Sequence, residues 1–219
     1  MSPERTADPH LQIRELLYGD APLRLWAGDG AAEPWTLFAQ AADCLEAQDE
    51  DGARQALRSV LALPDEESRH YLQAWTSLRA LGEAPPAAQA KHLYGAVLDI
   101  PTSGGCDTLA AYEDGGCRYL NFSGGIVVWD TPDEQIGGLI SNLLDVGRLI
   151  AERIGPWEGP RPDLPEGQAR LSFLCPSGLH FGQGPLPDLM SDQGARALVN
   201  AGLALLQALI ARTSAAAAG

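Results

Sequence analysis

Glycine-centred turns at short intervals constrain the fold of this chain more than any other feature of its sequence. They separate short apolar runs between residues 93 and 130, and they lie at Gly104-Gly105, Asp114-Gly115-Gly116 and Gly124-Gly125. Strands joined by such tight turns are antiparallel neighbours, because parallel strands need a long crossover. The pattern therefore predicts an antiparallel meander, with strands at Leu93–Ile100, Cys106–Glu113, Cys117–Ser123 and Ile126–Asp130.

The central turn of this meander admits two registers. Its two-residue loop is either Asp114-Gly115 or Gly115-Gly116, since both suit a turn with positive φ. In either register Cys106 lies opposite residues 123–125, far from Cys117. We therefore expect no disulfide between these two cysteines. The four cysteines of the chain also lack the paired spacing of a metal site, so we expect free thiols.

The first ninety residues have helical rather than strand-like periodicity. A short amphipathic piece, Leu11–Tyr18, precedes a loop over residues 19–34 that is rich in glycine, proline and aspartate. Apolar residues then recur at helical spacing in Trp35–Ala47 and Asp49–Leu63. A longer helix follows, with Asp65 as its cap. These segments predict antiparallel helical hairpins.

One of these helices has a familiar pattern. The run Ala53–Pro64 resembles the second helix of a tetratricopeptide repeat over about twelve residues. Such repeats recur about every 34 residues and need about three copies for a stable array. The sequence shows no second copy at that period. An ordinary helical hairpin therefore remains the expected structure, with a small helical docking surface as the functional interpretation.

Two helices are expected to pack on the sheet. The first follows Thr131-Pro132-Asp133-Glu134, where Thr131 can cap the helix and Glu134 completes a capping box. The second is capped by Ser191 and runs to about Arg212. Because it is apolar almost all round, it is expected to be buried or to pack against another subunit.

The predicted fold class is α+β with two parts. Residues 1–88 form an antiparallel helical segment, and residues 89–213 form a domain of about six antiparallel strands packed with two helices. The boundary lies in the alanine- and proline-rich stretch 84–90. Residues 214–219 are expected to be a disordered tail.

The net charge of the chain limits the kinds of molecule that we expect it to bind. The 219 residues carry a formal net charge of −14, from 29 acidic and 15 basic residues. Nucleic acids and anionic lipids are bound by clustered lysine and arginine, so we expect neither a nucleic acid nor a membrane as partner. A basic protein or a cationic ligand is favoured electrostatically. We see no secretory signal, and the apolar run Ala197–Ala211 is too short for a membrane span, so we expect a cytoplasmic protein.

The hairpin Arg170–Pro185 holds most of the candidate contact residues. With Pro176-Ser177-Gly178 as a three-residue turn, the side chains of Arg170, Ser172 and His180 project from one face of the sheet. Glycines beside them leave the backbone bare, which often marks close approach by another group. We interpret this face as a ligand or partner contact.

Trp157 is a further candidate contact. It lies between prolines in Gly155–Gly167, a segment too rich in proline for regular structure. A tryptophan in such a position either plugs the edge of a core or anchors a partner at the surface.

No residue is assigned a catalytic role. A nucleophilic triad could be assembled from Ser172 or Ser177, His180, and Asp130 or Glu158, but the chain has no Gly-x-Ser-x-Gly elbow. It also has no phosphate-binding loop and no dinucleotide fingerprint. We therefore expect no cofactor and no metal.

These observations predict a non-enzymatic interaction protein of a regulatory or adaptor kind. Its partner is another protein or a second copy of itself, bound through the C-terminal helix or the sheet. The alternative is a small-molecule-binding domain or a hydrolase that uses the face of Arg170, Ser172 and His180.

Overall fold

A computed structural model describes residues 13–14, 16–27 and 32–217, with side chains described as far as residue 213. These residues form seven helices and six strands, and the predicted α+β class is confirmed. Helices come first, and a six-stranded antiparallel sheet with helices packed on it follows. The chain divides into two compact units, Met1–Glu83 and Ala84–Gly219, which are described separately below.

The first unit is helical. Its helices are α1 (Leu23–Trp26), α2 (Trp35–Glu46), α3 (Glu50–Ala62) and α4 (Ser68–Ala80). Helix α3 packs against both α2 and α4. Their shared core contains Phe38, Leu57 and Leu78, all fully buried. Asp49 caps α3 by accepting a hydrogen bond from the Gly52 amide at 2.9 Å.

The structure differs from the sequence-based expectations at three places in this unit. Helix α1 lies within residues 19–34, which were expected to be a loop. Asp65 does not cap α4: its φ is 58°, and the helix begins three residues later. The expected helix Leu11–Tyr18 lies partly outside the described residues, although Ile13, Arg14 and Leu16 are helical.

The second unit is built on one antiparallel sheet. Its strands are β1 (Gly95–Thr102), β2 (Gly105–Tyr112), β3 (Cys117–Leu120), β4 (Ile126–Trp129), β5 (Gln168–Cys175) and β6 (Gly178–Pro185). They lie in the order β4-β3-β2-β1-β5-β6. The first four strands form the predicted meander. Strand β5 adds beside β1, so β4 and β6 are the two edges of the sheet.

This unit has three helices, α5 (Glu134–Ala151), α6 (Leu186–Leu189) and α7 (Gln193–Ala217). Its core lies between one face of the sheet and the two long helices, α5 and α7. Leu143 of α5 and Leu198 of α7 pack in one cluster with Leu98, Leu171 and Phe173 of the sheet. Alternate residues of a strand point to opposite faces. The core side is therefore that of the even-numbered Leu98 in β1 and of the odd-numbered Leu171 and Phe173 in β5.

Both long helices begin with a different cap from the one expected. Asp133, rather than Thr131, accepts a hydrogen bond from the Ile136 amide and caps α5. That backbone hydrogen bond is the main reason that the pKa of Asp133 is lowered. Asp192, rather than Ser191, accepts from the Ala195 amide at the start of α7. Both caps are ordinary N-cap aspartates, which compete closely with serine and threonine.

Helix α7 also ends later than expected. It continues through Ala217, so four residues of the expected tail are helical, and residues 218–219 lie outside the described part of the chain. Its stretch Gln193–Thr213 is long and apolar enough to cross a membrane by length and composition alone. About a third of that stretch is buried, and its buried side chains, such as Leu198 and Leu205, belong to the core cluster with the sheet.

The turn between β2 and β3 has neither of the two expected registers. Ala111 lies opposite Cys117, and the Tyr112 amide donates to the Gly116 carbonyl, which leaves a three-residue loop. Gly115 has the positive φ, 86°, that this loop requires. The expectation of free thiols is confirmed for all four cysteines. Burial raises the pKa of both Cys117 and Cys175 to about 12.

Candidate functional site

The β5–β6 hairpin has a two-residue turn, and this corrects the predicted arrangement of the candidate residues. Cys175 lies opposite Gly178, so the loop is Pro176-Ser177 alone. Gly178 is the first residue of β6, although its φ of 125° is one that favours glycine. A shift of one residue in register turns every side chain of a strand to the other face. The predicted common face was therefore wrong.

The corrected register separates His180 from the other two candidates. His180 lies opposite Phe173, on the face that packs against α5 and α7. Arg170 and Ser172 lie on the opposite face, beside Gln183 and Phe181. The face that a ligand-binding domain or hydrolase was expected to use is therefore not assembled by this hairpin.

Arg170 is a buried residue at the centre of a half-buried hydrogen-bond network. Its side chain is 2% exposed. Its Nε and Nη2 donate to Gln183 Oε1 at 2.8 and 2.6 Å, and Nη2 also donates to the carbonyls of Pro162 and Asp163 at 2.7 and 3.0 Å. Gln183 in turn donates to Gln168 Oε1 at 3.0 Å. These bonds fasten the proline-rich segment to the hairpin, which is a structural use of the guanidinium fork.

Trp157 belongs to the same assembly. The Trp157 ring packs on the Phe181 ring, with their centroids 5.4 Å apart. The Arg170 guanidinium also lies over the Phe181 ring, 5.3 Å from its centroid. The Trp157 amide donates to the Leu179 carbonyl of β6 at 2.7 Å. The indole is 49% exposed, so Trp157 both covers the β6 edge and presents a ring at the surface.

Ser172 is fully buried on the same face as Arg170. Its hydroxyl has no hydrogen-bond partner among the described residues. Val97 and Phe181 lie opposite it on the two neighbouring strands. Both are apolar, so the two side chains directly opposite Ser172 provide packing rather than an acid or a base.

His180 is fully buried and has hydrogen bonds at both ring nitrogens. Its Nδ1–H donates to the Ile154 carbonyl at 3.1 Å, and its Nε2 accepts from the Ser177 hydroxyl at 3.0 Å. A carbonyl only accepts, so Nδ1 carries a proton, and Nε2 is the acceptor in the neutral ring. Burial is the main cause that lowers the pKa of His180. The side chain of Lys91 donates to the same Ile154 carbonyl at 3.0 Å.

The contact between Ser177 and His180 has the distance of a nucleophile and its base, but its environment opposes that chemistry. General-base catalysis would leave a positive imidazolium at His180. That charge would be buried and close to Lys91, and both effects disfavour it. The Ser177 amide, which lies beside the hydroxyl, already donates to the Ala90 carbonyl. The pair therefore holds the hairpin turn to Ile154, in the segment that follows α5.

Acidification should destabilise the protein through His180. The folded pKa is lower than the ordinary value near 6.5, so the folded state holds fewer protons than the unfolded chain in mildly acidic solution. The contribution of His180 to the free energy of unfolding is fully present above pH 6.5 and is lost as the pH drops towards the folded pKa. Each pKa unit of difference corresponds to about 1.4 kcal/mol. Urea denaturation between pH 7.5 and pH 5 would measure the loss.

The variant His180→Gln separates this effect from other titrating groups. It should show a shallower decline in stability with acidification than the wild type, because glutamine does not titrate. An identical decline in both proteins would show that His180 is not the group responsible.

The free edge of the sheet is a second candidate site, and the sequence analysis did not predict it. Strand β4 has the sequence Ile-Val-Val-Trp and so no charged residue, proline or glycine. Ile126 and Val128 are 40% and 58% exposed, and the neighbouring Phe122 is 54% exposed. Within the described residues, β3 is the one strand that pairs with β4. The uncharged run at the end of the meander was the available signal.

The two edges of the sheet differ in whether another segment covers them. The edge at β6 is covered where the Trp157 amide bonds to Leu179, and β6 ends at Pro185. No backbone hydrogen bond reaches the outer side of β4 from any described residue. Proteins commonly protect an edge with charge, proline or a covering loop. An apolar edge that lacks these features is a ready position for another strand.

Other kinds of site find little support within the described residues. No group of three or more histidine, cysteine or acidic side chains is placed to hold a metal ion. In comparisons with known proteins, no family model, no curated protein and no solved structure matches this chain.

Proposed function

We propose that this protein is a non-enzymatic interaction protein that binds a partner by accepting an extended segment beside strand β4. One observation carries the proposal: β4 is an apolar edge strand without a covering element among the described residues, whereas β6 is covered. An extended peptide that adds to an edge gains affinity from backbone hydrogen bonds, and side-chain positions of the edge strand supply selectivity. The regulatory or adaptor role expected from the sequence fits such a docking strand.

The exposed side chains of β4 suit this mode of binding. Ile126 and Val128 are two residues apart, so they project from the same face of the strand. Phe122 lies against the β1–β2 turn, where it closes over Gly104. Ile126 and Val128 therefore form an apolar surface beside the free backbone edge, and Phe122 adds exposed apolar area in the turn before the strand. A segment with alternating β-branched residues would cover this surface while it pairs with the strand.

A synthetic peptide tests the proposal directly. We would use an eight-residue peptide with a Thr-Val-Thr-Val centre and two lysines at each end. Binding should slow hydrogen exchange of the amides in Ile126–Trp129, because strand addition places some of them in new hydrogen bonds. Exchange elsewhere in the sheet should change less.

Two variants give the contrast. Replacing both Ile126 and Val128 with lysine adds the charge with which natural edges resist pairing, so the variant should fold and lose the protection. Leu203→Lys changes a comparably exposed apolar residue of α7 and should retain it. The proposal fails if the peptide leaves the β4 amides unprotected in the wild type, or if the Leu203 variant loses protection equally.

A further inference from the structure

We infer that the segment accepted by β4 is basic beyond its apolar centre, at the end that passes Asp130. This inference rests on the proposed function and goes further by naming the chemistry of the partner. The strand itself is apolar along its whole length, so it selects an apolar centre. The groups beyond the C-terminal end of β4 are acidic, and their charges select what flanks that centre there.

Two carboxylates share one guanidinium at the C-terminal end of β4. Asp130 follows the strand directly, and its Oδ1 lies 2.5 Å from Arg118 Nη1. Asp114 points to the same place, because a methyl group built on Gly116 would lie 2.9 Å from Asp114 Oδ1 and 3.2 Å from Asp130 Oδ1. The Asp130 side chain is more than half exposed, at 59%. This end of the strand therefore keeps an excess of negative charge.

The start of α5 adds to that excess. Asp133 pairs with Arg212 at 3.2 Å, which compensates one charge. Glu134 comes next, in the first turn of the helix, and is exposed. Counted together with Asp114 and Asp130, this end of β4 has four carboxylates and two guanidinium groups.

This charge pattern favours a different chain over a second copy of the same one. A second copy would bring its own net charge of −14 to an end of β4 that already has an excess of carboxylates, so the two copies repel each other. A segment with lysine or arginine at that end meets the same carboxylates with the opposite sign.

Three peptides with the same Thr-Val-Thr-Val centre test the inference. Their two-residue flanks are lysine, serine or glutamate, and the readout is the peptide concentration that half-protects the β4 amides from exchange. Surface ion pairs are individually weak, so we expect the lysine peptide to act at about tenfold lower concentration than the serine peptide. The glutamate peptide should act at a still higher concentration. Added salt should reduce the difference between the peptides.

A pair of matched variants locates the charge effect. Glu134→Gln removes an exposed carboxylate near β4 and should weaken the lysine peptide about twofold. Glu158→Gln removes an exposed carboxylate of the proline-rich segment and should leave its affinity unchanged. Equal effects of the two variants would contradict the placement of the charges.

The outcomes separate this inference from the proposed function. If all three peptides protect β4 at the same concentration, strand addition stands and the basic partner is overturned. If none of them protects β4, both are overturned. If the β4 amides become protected with rising protein concentration and no peptide, the occupant is a second copy and the inference is again overturned.

Discussion

Replacing Arg170 with methionine will lower the free energy of unfolding by about 2–4 kcal/mol. Methionine keeps much of the apolar stem but removes every donor of the guanidinium. Gln183 Oε1 and the carbonyls of Pro162 and Asp163 then lose their partner in a site where Arg170 itself is 2% exposed. Gln183 and Pro162 are half-buried, so their acceptors carry the larger part of the cost when the donor is lost, whereas the exposed Asp163 can bond to water. Urea denaturation followed by circular dichroism measures the change.

Two further variants make the Arg170 result specific. Arg170→Lys should recover only part of the loss, because one ammonium group cannot reproduce a planar fork that serves three acceptors. Arg153→Met removes an exposed arginine near the end of α5 and should change stability by no more than about 0.5 kcal/mol. Equal losses in the Arg170 and Arg153 methionine variants would contradict the structural role of the network.

Local signals in the sequence were sufficient for the elements and the class of the fold. The glycine-centred turns predicted four consecutive antiparallel strands, and β1 to β4 form them. Apolar periodicity predicted α2 and α3 to within a residue or two at their ends. These features depend on residues close together in the chain, where turn propensity and side-chain spacing act directly.

The register of the β5–β6 hairpin was beyond those local signals. Pro176-Ser177-Gly178 suits a three-residue loop, and it also suits a two-residue loop followed by a glycine strand residue, which the structure has. The choice depends on which face of each strand is buried, and therefore on α5 and α7. The register also determines which candidate residues share a face. It places His180 on the core side of the sheet and Arg170 and Ser172 on the other side.

The position of β4 at an edge was also not encoded locally. After the meander, β5 could have joined the sheet beside either β4 or β1, and it pairs with β1. This single non-local choice leaves Ile126 and Val128 exposed. The strand was predicted as an element, but its availability to a partner depends on a contact between segments about seventy residues apart in the chain.

Glycines within the two long helices provide the last contrast between sequence and structure. Gly138 of α5 and Gly202 of α7 both interrupt apolar helical sequences, and nothing in their neighbours distinguishes them. In the structure, a methyl group built on Gly202 would lie 2.6 Å from Leu98 Cδ2 of β1, whereas one built on Gly138 would meet no atom within 4 Å. Gly202 therefore permits α7 to approach the sheet closely, and Gly138 has no comparable role.

Substitution at these two glycines should change stability in opposite directions. Gly202→Val should destabilise the protein by about 3 kcal/mol, because its side chain must displace Leu98 within a packed core and valine is β-branched in a helix. Gly138→Ala should stabilise it by about 0.5–1 kcal/mol, since alanine favours the helix and the position is open. Thermal unfolding of the two variants beside the wild type measures both shifts. A stabilised Gly202 variant would contradict the close approach of α7 to β1, and a destabilised Gly138 variant would contradict the open surface of α5.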